Sequence, residues 1–328
     1  MTPSDSQDVA TTVDEEWVGE RADRFVAEGL DLFPRSQLRR RGTEVWIGDR
    51  QVKPSYRLKE GDRLVVRFFE LPPIDLEPRQ VEFAVIYEDA DVIVIDKPSG
   101  LVVHPGSGTT GPTLVQGLLY RYQDIRDSFA GESLRPGIVH RLDRGTSGVM
   151  ICAKHPAAHS FLAAQFADRS VEKRYLALVS GTPPWRRREV SVPLGRDPSH
   201  RQRFAVVPSG GKYSETSLRV VRRYPGAALI ELLPKTGRTH QLRVHLKHLG
   251  FPILGDDLYG SRSRPADDGL RAGSGAVPGA AAALMLHAYS LRIRLPSGDS
   301  PRLFVAPVPT RFREELRLLA AKARQDAG

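Results

Sequence analysis

The spacing of apolar residues near the start of the chain predicts a small domain over residues 17–70. Phe25, Val26 and Leu30 recur as on one face of a helix. A second short helix is predicted to follow, because a proline and then a glycine stand where a helix would begin and end. Short apolar runs separated by glycine turns come next. The domain is therefore predicted to be α+β, with two helices packed on short strands.

Beyond a linker, the pattern changes to longer and mixed elements. Residues 71–80 contain three prolines and show no periodicity, as in a semi-rigid linker. From residue 81 to residue 320, strand-like runs mix with stretches of helical spacing at 112–122 and 156–168, without the regular rhythm of a parallel α/β sheet. We therefore predict a second α+β domain with a mixed, largely antiparallel sheet.

Two segments are predicted to lack regular structure. The first 20 residues contain six acidic and no basic side chains, so residues 1–16 are predicted to be a mobile, disordered acidic tail rather than a signal peptide. Residues 265–282 are rich in Gly, Ala and Asp, and are predicted to be a disordered surface loop. No apolar stretch approaches the roughly 20 residues that cross a bilayer, so we expect a cytoplasmic protein without a membrane partner.

The charge of the chain favours a polyanionic partner. The net charge is +9, and setting the six acidic charges of the first 20 residues apart leaves +15 for the rest. Four arginines crowd the predicted second helix, more than nearby acids can pair: Arg35, Arg39, Arg40 and Arg41. A basic surface can also serve solubility or bind protein, so charge alone does not decide for nucleic acid.

The small domain resembles the S4 RNA-binding domain. That domain combines a basic helix, a glycine turn, the pattern V-x-P-S-x-x-L-x-x-G-D and a closing strand. The matching positions are Val52, Pro54, Ser55, Leu58, Gly61 and Asp62. The resemblance implies that the four arginines contact RNA phosphates.

One polar loop carries the candidate chemistry. Residues 137–148 have strand-like flanks and a glycine-bounded centre, which places Asp143 on a loop between two strands. From these residues alone, Asp143 is either a local ion-pair or turn residue, or a catalytic carboxylate.

This loop resembles the H-R-L-D-x-x-T-S-G signature of the RluA-type pseudouridine synthases. The matching positions are His140, Arg141, Leu142, Asp143, Thr146, Ser147 and Gly148. Further family blocks occur in the right order, including K-R-Y-L-A at 173–177 and T-G-R-T-H-Q-L-R-V-H at 236–245, so the resemblance runs from about residue 81 to residue 309. It implies a catalytic domain with the pseudouridine synthase fold.

The resemblance also implies roles for individual residues. Asp143 is the expected catalytic carboxylate, Arg243 the arginine that pairs with it, and Tyr175 the ring that lies against the target base. Arg141 is expected to fill the gap left by a flipped nucleotide. We also expect contacts to RNA from three further side chains: His140, His240 and Lys247. Helical spacing places His240, Arg243 and Lys247 beside an apolar stripe on a helix predicted between Gly237 and Gly250.

The function implied by the resemblance is the isomerisation of specific uridines in structured RNA, most directly large-subunit ribosomal RNA, to pseudouridine. This reaction needs neither redox change nor phosphoryl transfer, so no cofactor and no metal are expected. Transfer RNA is an alternative substrate, and a non-catalytic RNA-binding ribosome-assembly factor is an alternative function. A carboxylate-dependent nucleoside hydrolase or glycosidase is a third hypothesis; it needs a second acid, for which the motif loop offers no clear residue and Asp256 is an open candidate. We expect a monomer.

Overall fold

The protein is described by a computed structural model that covers residues 6–33, 35–39, 41–69, 76–106, 109–129, 135–200, 202–260 and 283–326. The chain divides into two compact units, residues 1–75 and 76–328. The second unit begins inside the predicted linker, because the Arg79 N–H donates to the Gln116 carbonyl (3.2 Å). The loop predicted at 265–282 lies outside the described residues.

The first unit contains a four-stranded antiparallel sheet with the order β1-β4-β2-β3. Its strands are β1 (Ser6–Thr12), β2 (Glu44–Ile47), β3 (Arg50–Val52) and β4 (Arg63–Phe69). The helical segments are short: α1 (Ala22–Arg24) continues as a π turn over Phe25–Gly29, and a 3-10 turn spans Arg35–Gln37. Phe25 and Val26 of the π turn are buried against Leu64 and Val66 of β4, which alternate toward the core.

Residues 6–12 form a strand, so the prediction of a disordered acidic tail over residues 1–16 is wrong for this part of it. β1 pairs with β4, and Arg67 of β4 donates two hydrogen bonds to the carboxylate of Asp8 (2.9 and 2.8 Å). One of the acidic side chains that suggested a tail is thus paired across a sheet. Only Val9 and Thr11 of β1 are even partly buried, so the strand lacks the apolar alternation that would have revealed it.

The second unit is built on one ten-stranded mixed sheet, which confirms the predicted α+β class. Its strand order is β10-β9-β11-β12-β8-β13-β7-β6-β5, with β14 paired to β13. The β13–β7 pair is parallel and the other strand pairs are antiparallel. The strands are β5 (Ala84–Glu88), β6 (Val92–Lys97), β7 (Ser147–Ala153), β8 (Glu172–Ser180), β9 (Arg187–Arg196), β10 (Phe204–Val206), β11 (Lys212–Tyr224), β12 (Ala227–Pro234), β13 (Leu286–Arg294) and β14 (Pro301–Val305).

The helices of the second unit flank this sheet. They are α2 (Leu114–Arg121), α3 (Gln123–Ser128), α4 (Pro156–Ala167), α5 (Gln241–His248) and α6 (Thr310–Gln325). The sequence predicted α2, α4 and α5, whereas α6 carries the domain past its predicted end at residue 320. Leu242 and Leu246 of α5 are buried, as its apolar spacing predicted. No helix in the described ranges is long and apolar enough to cross a membrane.

A close approach of two parallel strands fixes the loop that carries Asp143. β7 follows this loop and pairs with β13 through Ser147↔His287 and Gly148↔Ala288. Gly148 has a φ of 118°, and a Cβ at this position would overlap the backbone of Ala288. Only glycine satisfies both conditions, so the glycine that ends the loop holds its exit against the centre of the sheet.

Candidate active site

Asp143 lies in a cavity of about 420 Å³ in the second unit. The cavity is lined by the loop at 139–143, by the end of α4, by β8, and by residues 234–243, which lead into α5. A volume of this order is typical of sites that hold a small molecule or a single nucleotide. The start of α5 and the Asp143 loop therefore line the same cavity.

The loop around Asp143 is held in place by the last residue of β6 and by the segment that follows this strand. The buried ammonium of Lys97 donates to the carbonyls of Pro98 (2.8 Å), Leu101 (2.9 Å) and Arg144 (3.3 Å). The Gly100 N–H also donates to the Arg144 carbonyl (2.8 Å). Because Arg144 directly follows Asp143, these bonds hold the backbone of the candidate catalytic residue in place.

Arg243 of α5 is the cation that faces Asp143. Its Nη1 lies 3.4 Å from Oδ2 of Asp143, and its side chain is only 6% exposed. Burial would lower the pKa of Arg243, but Asp256 and Asp143 together raise it above its ordinary value. Arg243 therefore supplies the compensating charge that a carboxylate needs where water is excluded.

Asp256 holds Arg243 in this position. Its carboxylate accepts hydrogen bonds from Nε (2.8 Å) and Nη2 (2.7 Å) of Arg243, and its side chain is fully buried. The same carboxylate also accepts the backbone N–H groups of Leu258 (3.0 Å) and Tyr259 (2.9 Å). Both oxygens of Asp256 are thus engaged as acceptors by Arg243 and by the backbone, so Asp256 is placed to hold the arginine rather than to serve as the second acid that the hydrolase hypothesis requires.

Tyr175 of β8 lines the same cavity, at the position where β8 pairs with Ala288 of β13. Burial and, to a smaller degree, the charge of Asp143 raise the pKa of Tyr175 above its usual range. The ring is thus a neutral, largely apolar surface close to the carboxylate. The three residues expected to act in catalysis are brought together in one place.

Arg141 and His140, both expected to contact RNA, differ in their exposure and in their contacts. Arg141 is exposed at the cavity, with Nη1 3.5 Å from Nε2 of His104. His140 also lines the cavity, but its Nε2 accepts the Ile151 N–H (3.1 Å) and its ring stacks on Phe166 at 4.6 Å. Burial lowers the pKa of His140 to about 3, so the ring is neutral. These contacts give His140 a packing role that its place in the motif did not predict.

His240 and Lys247 do not share a helix face as predicted. His240 precedes α5 as its N-cap, with a left-handed φ of 56°, and Lys247 is exposed with its ammonium 5.7 Å from the centre of the Tyr259 ring. Nδ1 of His240 lies 2.8 Å from the Tyr259 hydroxyl, which accepts the Phe204 N–H. The cavity therefore includes His240, whereas Lys247 lies outside its lining.

The arginines of the first unit are only partly available for RNA. Arg35 pairs with Asp23 (3.0 Å), and Arg41 donates to Gln37 (2.9 Å) and lies over the Phe33 ring. Arg39 is exposed, and Arg40 lies outside the described residues. In the described ranges, no three His, Cys, Asp or Glu side chains are arranged to hold a metal ion.

Three further residues support this site in roles that the sequence did not assign to them. Lys97 supports the Asp143 loop, Asp256 orients Arg243, and Lys173 lines the cavity. Lys173 stands in the K-R-Y-L-A block, and Lys97 begins the run K-P-S-G at 97–100, a further block in which the chain resembles the family, so the local pattern marks both positions. The pairing of Asp256 with Arg243 spans a turn, and no periodic pattern indicates it.

Comparison with known proteins finds similar chains of one class. Residues 91–248 match the model of a family described as RNA pseudouridylate synthase. A ribosomal large subunit pseudouridine synthase D from Borreliella burgdorferi is 38% identical over 298 residues, which are 89% of this chain and 87% of that protein. A protein of the same name from Neisseria meningitidis serogroup A is 35% identical over 97% of this chain and 84% of its own length.

A solved structure gives the same result. The structure of human RNA Pseudouridylate Synthase Domain Containing 4 superposes with a TM-score of 0.54 at 27% sequence identity. The match covers 72% of this chain and 93% of that chain.

Proposed function

Because the chain belongs to the RluA-type RNA pseudouridine synthases, we propose that it converts specific uridines of large-subunit ribosomal RNA to pseudouridine. Pseudouridine synthase activity on RNA is the activity of this family. The choice of ribosomal RNA is supported by the two bacterial relatives, both of which are named for the large ribosomal subunit.

The contact between Arg243 and Asp143 beside the Tyr175 ring carries the mechanistic proposal. The C1′–N1 bond of the uridine must break, the freed uracil must turn, and a C1′–C5 bond must form. The proton of C5 leaves and N1 takes up a proton, so the product is an isomer of the substrate. Asp143 starts this sequence by attack on C1′ or on C6, or by assisting loss of the 2′ proton.

The geometry leaves one oxygen of Asp143 for this work. Arg243 contacts Oδ2, and no side chain in the described part of the chain donates a hydrogen bond to Oδ1. Arg243 is in turn fixed by the buried Asp256, so its guanidinium does not have to reorganise when a nucleotide enters. Tyr175 provides the face on which the target base stacks.

The target uridine has to leave its stack to reach this cavity, and this costs a few kcal/mol. Arg141 is exposed at the cavity and is proposed to occupy the space that the flipped nucleotide vacates. His240 lines the same wall and is proposed to contact the flipped nucleotide.

We assign the first unit to capture of structured RNA, as its likeness to the S4 domain implies. Arg39 is exposed, and Arg35 remains about half exposed although it pairs with Asp23. Cations of this kind bind phosphates by releasing counterions, so affinity is expected to fall steeply as salt rises.

The test is release of tritium from transcripts labelled at uridine C5. Large-subunit ribosomal RNA fragments are compared with transfer RNA under the same conditions. Release from ribosomal fragments supports the proposal, whereas release from transfer RNA alone would move the substrate to that class. Tight binding of ribosomal RNA without any release would favour an assembly factor, and free uracil would favour a hydrolase.

A further inference from the structure

Lys173 is a cation in the cavity without an acidic partner among the described residues. It lies on β8, two residues before Tyr175, is partly buried and lines the cavity. Burial and then the charge of Arg169 lower the pKa of Lys173. Holding an unpaired ammonium in such a place is costly unless a ligand completes its contacts.

Arg169 places a second cation on the same wall. It directly follows the C-cap of α4 and has a φ of 67°, a conformation that glycine or asparagine usually fills. An arginine in this conformation is strained by about 1 kcal/mol. Glycine would adopt this conformation without strain but would provide no charge. The arginine therefore provides a charged side chain at the cost of backbone strain.

The acidic group that acts on Arg169 is already engaged. Glu215 lies within electrostatic range of Arg169, but its carboxylate accepts hydrogen bonds from Lys235 and from the Tyr213 hydroxyl (2.5 Å each). Arg169 and Lys173 therefore repel each other, and neither forms an ion pair within 4.0 Å in the described ranges. Together they form a patch of positive charge without an ion-paired acid among the described residues.

The patch lies at a distance from Tyr175 that suits one nucleotide. Lys173 and Tyr175 share a face of β8, so their Cα atoms are about 7 Å apart along the strand. A base stacked on Tyr175 would therefore bring a flanking phosphate of its own nucleotide near the Lys173 ammonium. Arg243, by contrast, is saturated by carboxylates and is not available to bind an anion.

We propose that Lys173 and Arg169 form a clamp for a backbone phosphate next to the target uridine. The clamp rests on the proposed function, because it presupposes a nucleotide flipped into the cavity. A phosphodiester fits better than a uracil oxygen, since two neighbouring cations that lack an ion-paired acid favour a charged ligand over a neutral one.

The first test compares three variants of the full chain in binding to a stem-loop that the wild-type protein modifies, over a series of salt concentrations, and in single-turnover isomerisation of that stem-loop. Lys173→Met removes one charge of the clamp, and Arg169→Gly removes the other while relieving its backbone strain. Arg174→Met is the matched control, because Arg174 is the next residue of β8 and points to the opposite face of the strand. Its contact with Glu231 is long, at 4.0 Å, so little is lost when it is removed.

We expect both clamp variants to lose about tenfold or more in affinity for the stem-loop, the usual effect of a lost hydrogen bond to a charged group. The slope of log affinity against log salt should become shallower by about 0.7 for each, as for one lost phosphate contact on a single strand. If Lys173→Met and Arg169→Gly both match Arg174→Met, the clamp does not exist. Wild-type protein inactive on all RNA would instead refute the proposed function itself.

The second test asks whether the ligand is the phosphate. Phosphates on either side of the target are replaced one at a time by neutral methylphosphonate. At the clamped position, the replacement should weaken binding by wild type but have little further effect on Lys173→Met. If the effects of the methylphosphonate and of Lys173→Met on binding simply add at every position, the proposal is overturned and Lys173 is assigned to the base instead. Arg169→Gly keeps the test decisive if Lys173→Met fails to fold, because it relieves strain.

Discussion

The buried pair between Asp256 and Arg243 makes the strongest prediction about this protein. Asp256→Asn removes the charge that faces Arg243 across two hydrogen bonds of 2.7 and 2.8 Å, while both side chains are almost completely buried. Breaking such a pair from one side costs about 3–5 kcal/mol, because the remaining charge stays buried. For a domain of this size, each kcal/mol lowers Tm by roughly 2–4 °C, so we expect a fall of about 6–20 °C.

Urea unfolding measures the loss of stability of Asp256→Asn, and single-turnover isomerisation measures its effect on activity. The control is Asp257→Asn, because Asp257 also lies 3.4 Å from Arg243 but is 78% exposed, and an exposed pair contributes about 0–1 kcal/mol. Replacing both buried partners, with Asp256→Leu and Arg243→Met together, should restore most of the stability but none of the activity. An Asp256→Asn variant as stable and as active as Asp257→Asn would refute the role given to this pair.

Three further predictions concern the surroundings of the site. Burial lowers the pKa of His245 to about 4 from 6.5, so between these values only the unfolded chain binds the proton and stability falls on acidification. From pH 7 to pH 5 the share of His245 in this loss should be about 2 kcal/mol in urea unfolding, and His245→Gln should remove that share while the similar share of the buried His140 remains. Gly148→Ala should destabilise the protein by about 3 kcal/mol by the same method, because φ is positive and Ala288 blocks a Cβ. Lys97→Met should cost about 1–3 kcal/mol and lower kcat more than it changes KM, since Arg144 loses a contact that anchors the loop.

The sequence predicted the centre of the site because its residues stand in ordered motifs. Asp143, Tyr175 and Arg243 are far apart along the chain, yet each lies in a block with a recognisable pattern, and the structure brings all three to one cavity. The helix that carries Arg243 also followed from spacing, since its leucines mark a buried stripe.

What the sequence did not reveal depends on tertiary contacts. The role of Asp256 arises from a turn that returns its carboxylate to Arg243, and no local pattern encodes this. β1 was missed because Val9 is the one apolar side chain that it packs against the core, so the strand lacks an apolar alternation although it pairs with β4 along its length. His140 stands in the signature but stacks on Phe166, since its neighbours bury it.

The most direct test of the central claim is single-turnover pseudouridine formation by Asp143→Asn beside Asp257→Asn. Both carboxylates lie 3.4 Å from Arg243, so the two variants remove the same charge at the same distance from the same guanidinium. With RNA binding verified for each, we expect no product from Asp143→Asn and nearly wild-type formation by Asp257→Asn. Pseudouridine formed at the wild-type rate by Asp143→Asn would contradict the catalytic role of this carboxylate.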